Sequence, residues 1–437
     1  MAEPFKSYDI RGIYPKEIDE NFAYKLGRAI VVALKSSKIV VGRDCRLSSP
    51  ALTKSLIYGI TDQGADVVDI GLTSTPVCFF EAEKNDVVMV SASHNPPEYN
   101  GFKITQKGVI KLGKETGLKK IEDIYRADEF PDVDKKGNVV EKDAVKSYVE
   151  KIRSIVKADF KPLKVLIDTG NGMGGLIVPE VLKGLPVKYE IMFKEPDGRF
   201  PNHMPNPTKP ENTKDLQDKI KKGNYDLGAA YDADCDRIFF IDETGERIRA
   251  DHILVLLAQF FSKRSKRVAR TVSVSRIVKD KVEEMGGVTF LSKVGHANIP
   301  PVMKKNDCIV AGEVSGHFLF KDFNFAESGD LALLIILALL SETGKKISEL
   351  VAPLKKYATS EEINLKVDDQ DKALENIKNY FKDKIDNELD GLSIDAGPCW
   401  FNIRKSGTEP LLRFNPEAVD EEHLKECIKK VKELVKT

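Results

Sequence analysis

The chain has a single tryptophan, six histidines and six cysteines in 437 residues, and it has no net charge, with Lys+Arg and Asp+Glu both at 68. Each shortage excludes something. The cysteines (45, 78, 235, 308, 399 and 427) are scattered without a CxxC pair. Met1-Ala2-Glu3-Pro4 does not open a signal peptide, so reduced thiols and a cytoplasmic location are expected. Balanced charge leaves no global field to draw the chain to nucleic acid or anionic lipid. The densest basic tract, Lys263–Arg267, reads as a solvated loop. The longest apolar run, Leu331–Leu340, is half of the roughly 20 residues a bilayer requires, and reads as a buried helix opening near Ser328-Gly329-Asp330.

What is present is a long soluble composition, 41% apolar and 31% charged, enough for two to four domains. Strand-like and helix-like segments alternate: Ile39–Gly42, Ala51–Gly59, Asp66–Ile70, Val87–Val90. That cadence predicts βα units and covered sheets. It restarts at Lys164–Asp168, after a polar stretch over Asp128–Lys146, and again near Asp251, where a helical run leads into Val268–Val274. The tail differs, with strands expected at Glu362–Val367, Leu392–Asp395 and Leu411–Phe414, and helices at Asp371–Phe381 and His423–Val435. Leu424, Cys427, Ile428, Val431, Leu434 and Val435 make one apolar stripe on the last helix. The expectation is an α/β protein of three similar domains with mixed sheets plus a smaller α+β C-terminal domain around a central cleft. The expected boundaries are 1–145, 146–250, 251–357 and 358–437.

Four loops carry the chemistry. Ser91-Ala92-Ser93-His94-Asn95-Pro96 follows the apolar strand Val87–Val90, so a hydroxyl, an imidazole and an amide sit where open α/β sheets place ligands. Asp232-Ala233-Asp234-Cys235-Asp236-Arg237 offers alternating carboxylates that can converge on a hard cation such as Mg²⁺ or Ca²⁺. An EF-hand fits poorly, because its sixth position needs glycine and holds Arg237, and Ile238–Ile241 reads as a strand. A solvated acidic turn is the other reading, and a metal site is the best account, since three aspartates would repel without a cation. Arg237 beside the carboxylates points to an approaching anion. Gly312-Glu313-Val314-Ser315-Gly316-His317 suits the grip of two neighbouring sugar hydroxyls, or is a plain glycine turn. Arg404-Lys405-Ser406-Gly407-Thr408-Glu409-Pro410, with Arg413, makes a phosphate cradle or a charged surface turn. Asp168–Gly175 contains a G-x-G-x-x-G match after a strand. The acid a dinucleotide fold wants about 20 residues on is misplaced, since Glu190 comes before its strand is complete, so a tight strand-to-helix turn is the better reading.

Taken in order, the four loops resemble those of the α-D-phosphohexomutase superfamily, over nearly the whole chain. Ser93–Lys103 and Phe200–Pro207 are similar to its phosphomannomutase/phosphoglucomutase branch, and Tyr8–Gly12 and Val41–Arg46 match segments of its first domain. The resemblance implies a phosphohexomutase that interconverts hexose 1- and 6-phosphates of mannose or glucose through phosphoserine and a hexose 1,6-bisphosphate. It implies Ser93 as the phosphoserine, with its phosphate joining Asp232, Asp234 and Asp236 around Mg²⁺. Arg11, Lys103 and His317 are implied near the reacting oxygen. Glu313 and Ser315 would hold sugar hydroxyls. Arg404, Ser406, Gly407, Thr408 and Arg413 would take the phosphate that stays in place, and Arg237 would also meet phosphate. Lys293-Val294-Gly295-His296 resembles a family turn, which makes Lys293 and His296 further substrate contacts. Hexose 1,6-bisphosphate would be the activator, sugar phosphates the only partners, and the chain a monomer or homodimer with neither nucleic acid nor membrane as partner. Two departures stand out. Ala233 and Cys235 replace smaller residues, and Ala233 is awkward only if that position needs positive φ. Val314 favours a neutral sugar. A phosphoglucosamine mutase, a metal-dependent sugar-phosphate phosphatase, a sugar-phosphate sensor without turnover and a dehydrogenase on Gly170–Gly175 are the alternatives.

Overall fold

The computed structural model describes residues 4–295, 297–406 and 411–435. It has two compact units, one built from the chain up to Arg249 together with Ser315–Ser348, the other from Ala250–Val314 together with the chain from Glu349 onward.

In the first unit, one sheet runs in the order Ile10–Ile13, Tyr99–Gln106, Asp86–Val90, Lys38–Arg43, Asp66–Leu72, Val139–Glu141, with Ile110–Lys111 beside Tyr99–Gln106. Its central strands are parallel, and Tyr99–Gln106 runs antiparallel to both neighbours. The runs Val40-Val41 and Val87–Val90 are apolar without alternation because the sheet is covered on both faces. One face packs on Glu20–Leu34, Ser49–Asp62 and Leu118–Ala127 around Leu26, Ile30, Leu56 and Ile121. The strand Val139–Glu141 lies within the stretch read from sequence as merely polar. It pairs in parallel with Val67–Asp69 at the sheet edge, and all three of its residues are exposed, so it carries no hydrophobic signal.

A second sheet has the order Arg247–Ile248, Ile238–Ile241, Leu227–Tyr231, Leu163–Asp168, Val187–Met192. The parallel pair Leu163–Asp168 and Leu227–Tyr231 ends in two loops, 169–173 and 232–237, on the same side. The helix Gly329–Thr343 also belongs to this unit. Ser328 caps it by accepting from the Leu331 N–H, and Gly344 ends it at φ 65°. Leu331–Leu340 is buried on all sides, so the helix is a core element. Each such Leu or Ile contributes about 1.5–3 kcal/mol on burial. Among the described residues no helix is long and apolar enough to cross a membrane.

In the second unit, Val288–Ser292, Arg267–Thr271 and Val310–Gly312 form parallel ladders, the middle one flanked by the other two. An antiparallel sheet in the order Ala358–Thr359, Leu411–Ala418, Cys399–Lys405, Leu392–Asp395, Ile385–Asn387 follows, with Ile363–Lys366 also on Leu411–Ala418. The helices Gln370–Tyr380 and Glu421–Leu434 share its core. Leu424, Cys427 and Val431 of the predicted stripe are buried there, and Ile428, Leu434 and Val435 pack at its margin.

Candidate active site

Ser93 follows the strand Asp86–Val90 on a loop where its own backbone is left-handed, φ 51°, an uncommon state for a residue with a side chain. Arg46 holds that loop. Its guanidinium is wholly buried, pairs with Asp44 at 3.2 Å, and donates to four carbonyl oxygens: Ser93 at 2.6 Å, Asn95 at 2.7 Å, Pro96 at 2.7 Å and Tyr99 at 2.9 Å. The Ser91 hydroxyl accepts from the Ser93 N–H at 2.9 Å. Ser93 is 1% exposed, and its hydroxyl donates to Asp232 Oδ2 at 2.8 Å, with His94 Nδ1 at 3.2 Å.

Asp232, Asp234 and Asp236 are all buried, and one oxygen from each lies within 4.8 Å of the others. The positive φ falls on Cys235, at 66°, and not on Ala233. The concern over Ala233 therefore moves two residues on, to a position where glycine would be the unstrained choice. The glycine-rich turn after Asp168 supports this loop. A Cβ on Gly172 would lie 2.6 Å from the Ala233 backbone, and the Met173 N–H donates to the Ala233 carbonyl at 2.7 Å. That close approach accounts for Gly172, and the Lys194 carbonyl, which a Cβ on Gly175 would overlap, accounts for Gly175, without any nucleotide.

Lys103, on Tyr99–Gln106, reaches Asp234 Oδ2 at 2.5 Å and Asp236 Oδ2 at 2.7 Å. Thr75 Oγ1 donates to the same Asp234 oxygen at 2.5 Å. Asp236 also meets His317 Nε2 at 3.2 Å. Arg237 donates its backbone N–H to Asp232 at 3.2 Å and its Nε to His317 Nε2 at 3.1 Å, and Ser315 Oγ pairs with His317 Nδ1 at 2.9 Å. Arg11 pairs with Asp9 at 2.8 Å and donates to Asn95 Oδ1 at 2.5 Å. Ser93, the three aspartates, Lys103, Arg11, Arg237, His317 and Ser315 thus form one cluster within the first unit.

Electrostatics separates the carboxylates. Burial pushes the Asp232 carboxyl well up, and the charges of Asp236 and Asp234 push it further. Burial also works against Asp236, but Lys103 and His317 outweigh it and hold that carboxyl well below its ordinary range. The Lys103 ammonium is disfavoured by burial and stabilised more strongly by Asp234 and Asp236, so it is held above its usual range. Burial, then Arg237 and Arg11, drive the His94 imidazole well down and keep it neutral. Asp234 Oδ1 is buried without a hydrogen-bond partner. Three buried acids, an orphaned carboxylate oxygen and oxygen-only donors fit a small divalent cation.

The remaining predicted residues lie in the second unit. Glu313 is buried and accepts from the Gly295 N–H at 3.3 Å. Lys293 is exposed directly after Val288–Ser292. Arg404 and Arg413 are cross-strand partners, and both pair with Glu362, at 3.4 and 3.0 Å. Ser406 is buried at the end of that ladder, its N–H donating to the Leu411 carbonyl at 2.9 Å. His296, Gly407 and Thr408 lie outside the described residues.

Sequence reading places Ser91 and Asn95 on the loop and Asp9 in a family segment without giving them these contacts, and it passes over Thr75 and the caging role of Arg46. The segment Val41–Arg46 was singled out as a family segment, but nothing local says that Arg46 would meet carbonyls some 50 residues away.

The four Phosphoglucomutase/phosphomannomutase family descriptions match in chain order: alpha/beta/alpha domain I over residues 2–132, domain II over 146–245, domain III over 249–357 and the C-terminal domain over 362–434. The chain belongs to the phosphoglucomutase/phosphomannomutase family. It is an enzyme of that family, and its relatives agree. A phosphomannomutase of Methanocaldococcus jannaschii is 39% identical, with 99% of this chain and 97% of the relative covered. A protein of Xanthomonas campestris named for phosphohexose mutases is 37% identical over 94% of each. The crystal structure of a phosphoglucomutase/phosphomannomutase family protein from Burkholderia thailandensis superposes with a TM-score of 0.91 at 30% identity, covering 99% of this chain and 97% of that one.

Proposed function

We propose that this phosphohexomutase interconverts the 1- and 6-phosphates of mannose or glucose by way of phosphorylated Ser93. The observation that carries the reading is the Ser93 hydroxyl 2.8 Å from Asp232, inside a cluster of three buried carboxylates. A phosphoryl group on Ser93 passes to the free hydroxyl of the sugar phosphate, giving a hexose 1,6-bisphosphate. The bisphosphate turns end for end, and Ser93 accepts the other phosphoryl group. Both sugar oxygens thereby visit one donor, and most of the catalysis is positioning and electrostatics.

Asp232, Asp234 and Asp236 would hold Mg²⁺, which when bound neutralises charge on the transferring group. Arg46 and Ser91 fix the Ser93 backbone before the sugar arrives. Arg11, Lys103 and His317 are assigned to the reacting oxygen, with proton transfer by one of them adding about 10²–10⁴-fold. Arg237 is assigned to phosphate, Glu313 and Ser315 to sugar hydroxyls, Lys293 and His296 to the substrate beside them, and Arg404, Ser406, Gly407, Thr408 and Arg413 to the phosphate that stays. Four modules, 1–145, 146–250, 251–357 and 358–437, each bring one loop. Hexose 1,6-bisphosphate primes Ser93.

The test is intact-mass and peptide analysis after incubation with glucose 1,6-bisphosphate and Mg²⁺, alongside turnover of mannose, glucose and glucosamine 1-phosphates. One phosphoryl group on Ser93 and loss of turnover in Ser93→Ala with sugar-phosphate binding retained are expected. Substantial mutase activity in Ser93→Ala removes Ser93 from the donor role. Release of inorganic phosphate as the main product makes the enzyme a phosphatase.

A further inference from the structure

Arg404 and Arg413 already share an anion. They stand directly opposite one another on Cys399–Lys405 and Leu411–Ala418, where like charges repel. Glu362 sits between the two. Its Oε1 accepts from Arg413 Nη1 at 3.0 Å and its Oε2 from Arg404 Nη2 at 3.4 Å, and Asn415 Nδ2 donates to Oε2 at 3.2 Å. The strand register explains the meeting. Ile363 pairs with Phe414 and Asn364 with Arg413, so Glu362, one residue before the strand Ile363–Lys366, falls beside Asn415, on the face that Arg413 shares. Lys405, next to Arg404, pairs with Asp371 instead.

The carboxylate engages one nitrogen of each guanidinium. Arg404 Nε is buried and has no hydrogen-bond partner among the described residues. A phosphate can therefore be gripped by the remaining edges while Glu362 stays, but only beside a fixed negative charge. Side-chain exposure is 14% for Arg404, 24% for Glu362 and 35% for Arg413, so the three charges are partly out of water, where one charge acts on another more strongly than in solvent. Glu362 thus acts in two directions. It keeps two like charges together before phosphate arrives, and it opposes the anion for which they are assembled. A mutase must let its bisphosphate turn end for end, so a cradle that holds the ground state too tightly lowers turnover.

We propose, on the reading that Arg404 and Arg413 take the phosphate that stays, that Glu362 is a built-in competitor of that phosphate. It is a positioning residue, working through the two guanidinium groups. Its charge holds phosphate affinity below what two facing arginines would give alone. It thereby sets how readily the cradle lets go, and so how quickly the bisphosphate turns or leaves.

The full-length enzyme and its Glu362→Gln variant, equal in shape and without the charge, are titrated with glucose 1-phosphate and with inorganic phosphate by calorimetry. The variant should bind both about tenfold more tightly, the size of effect one unit charge exerts across a partly buried contact. In steady-state kinetics KM and kcat should fall together, a split that mere loss of arginine alignment would not produce. Glu362→Asp keeps the charge but draws it back by one methylene, so it should tighten binding by a smaller factor, and it carries the test if Glu362→Gln does not fold. Arg413→Ala tells two failures apart. If it binds both ligands more weakly while neither Glu362 variant binds them more tightly than wild type, the arginines are the cradle and Glu362 only aligns them, which overturns the inference alone. If Arg413→Ala binds both as wild type does, the assignment of the cradle falls and the inference falls with it.

Discussion

Arg46 Nη2 donates to the carbonyl oxygen of Ser93 at 2.6 Å, so the residue assigned to phosphoryl transfer is held through its backbone by a charge with no access to solvent. Burial lowers the pKa of that guanidinium, and the Asp44 carboxylate works in the other direction. The face of Phe200, 5.1 Å away, covers it.

Arg46→Ala should therefore strand four carbonyl oxygens and a buried Asp44. A stability loss of about 3–5 kcal/mol is expected, the cost of breaking a buried pair by removing one member. Arg46→Lys keeps the charge but has no fork to reach both pairs of carbonyls. It should stay folded while kcat falls more than KM rises. Denaturant unfolding and steady-state kinetics on the two variants check this.

Gly172→Ala places a methyl group against the Ala233 backbone, where only 2.6 Å is available. Backbone cannot yield as a flexible side chain would, so the loop 232–237 must move. Mg²⁺ affinity should drop by about 10–100-fold, the usual size of an effect transmitted to a ligand set from its supports. Titration calorimetry with Mg²⁺ would show this, and an unchanged affinity would mean that the aspartates tolerate displacement of Ala233.

Arg413→Ala leaves Glu362 with Arg404 and Asn415 as partners, at 3.4 and 3.2 Å. Sugar-phosphate binding should weaken by about 10–100-fold, equivalent to one or two charge-assisted hydrogen bonds. Weak binding of unphosphorylated sugar should not change. Equal losses for both ligands would place Arg413 in folding and not in phosphate recognition.

Asp330, in the first turn of Gly329–Thr343, is wholly buried, and burial pushes its carboxyl up to about 6 although the Tyr148 phenol donates to it at 2.8 Å. The unfolded carboxyl titrates near 3.8. A folded pKa above the unfolded one gives a stabilising contribution that is complete below about pH 3.8 and is lost as the pH rises through 6. The gap corresponds to about 3 kcal/mol. Asp330→Asn does not titrate, so its stability relative to wild type should improve by about that amount between pH 4 and pH 8. Urea denaturation across that range measures it, and a difference independent of pH would contradict the raised carboxyl.

The parts of the site that were legible in the sequence are those whose chemistry is contiguous. Ser93 after an apolar strand and Asp232, Asp234 and Asp236 in alternation announce themselves within a few residues. Glu313 and Ser315 share one motif in the sequence yet belong to different compact units, which no local pattern reveals. Arg46 was hidden for a similar reason, because its acceptors are carbonyls that only the fold assembles. The strand Val139–Glu141 escaped because an exposed edge strand needs no apolar face. The glycines after Asp168 read as a turn, and what the sequence could not supply was the neighbours, Ala233 for Gly172 and the Lys194 carbonyl for Gly175, that force them to be small.

The left-handed turn at Ser93 makes the choice of replacement informative. Alanine there inherits the contorted backbone and loses only the oxygen, whereas glycine loses the oxygen and is also released from about 1 kcal/mol of torsional penalty. Comparing the stability of those two variants isolates what the loop spends on holding its shape.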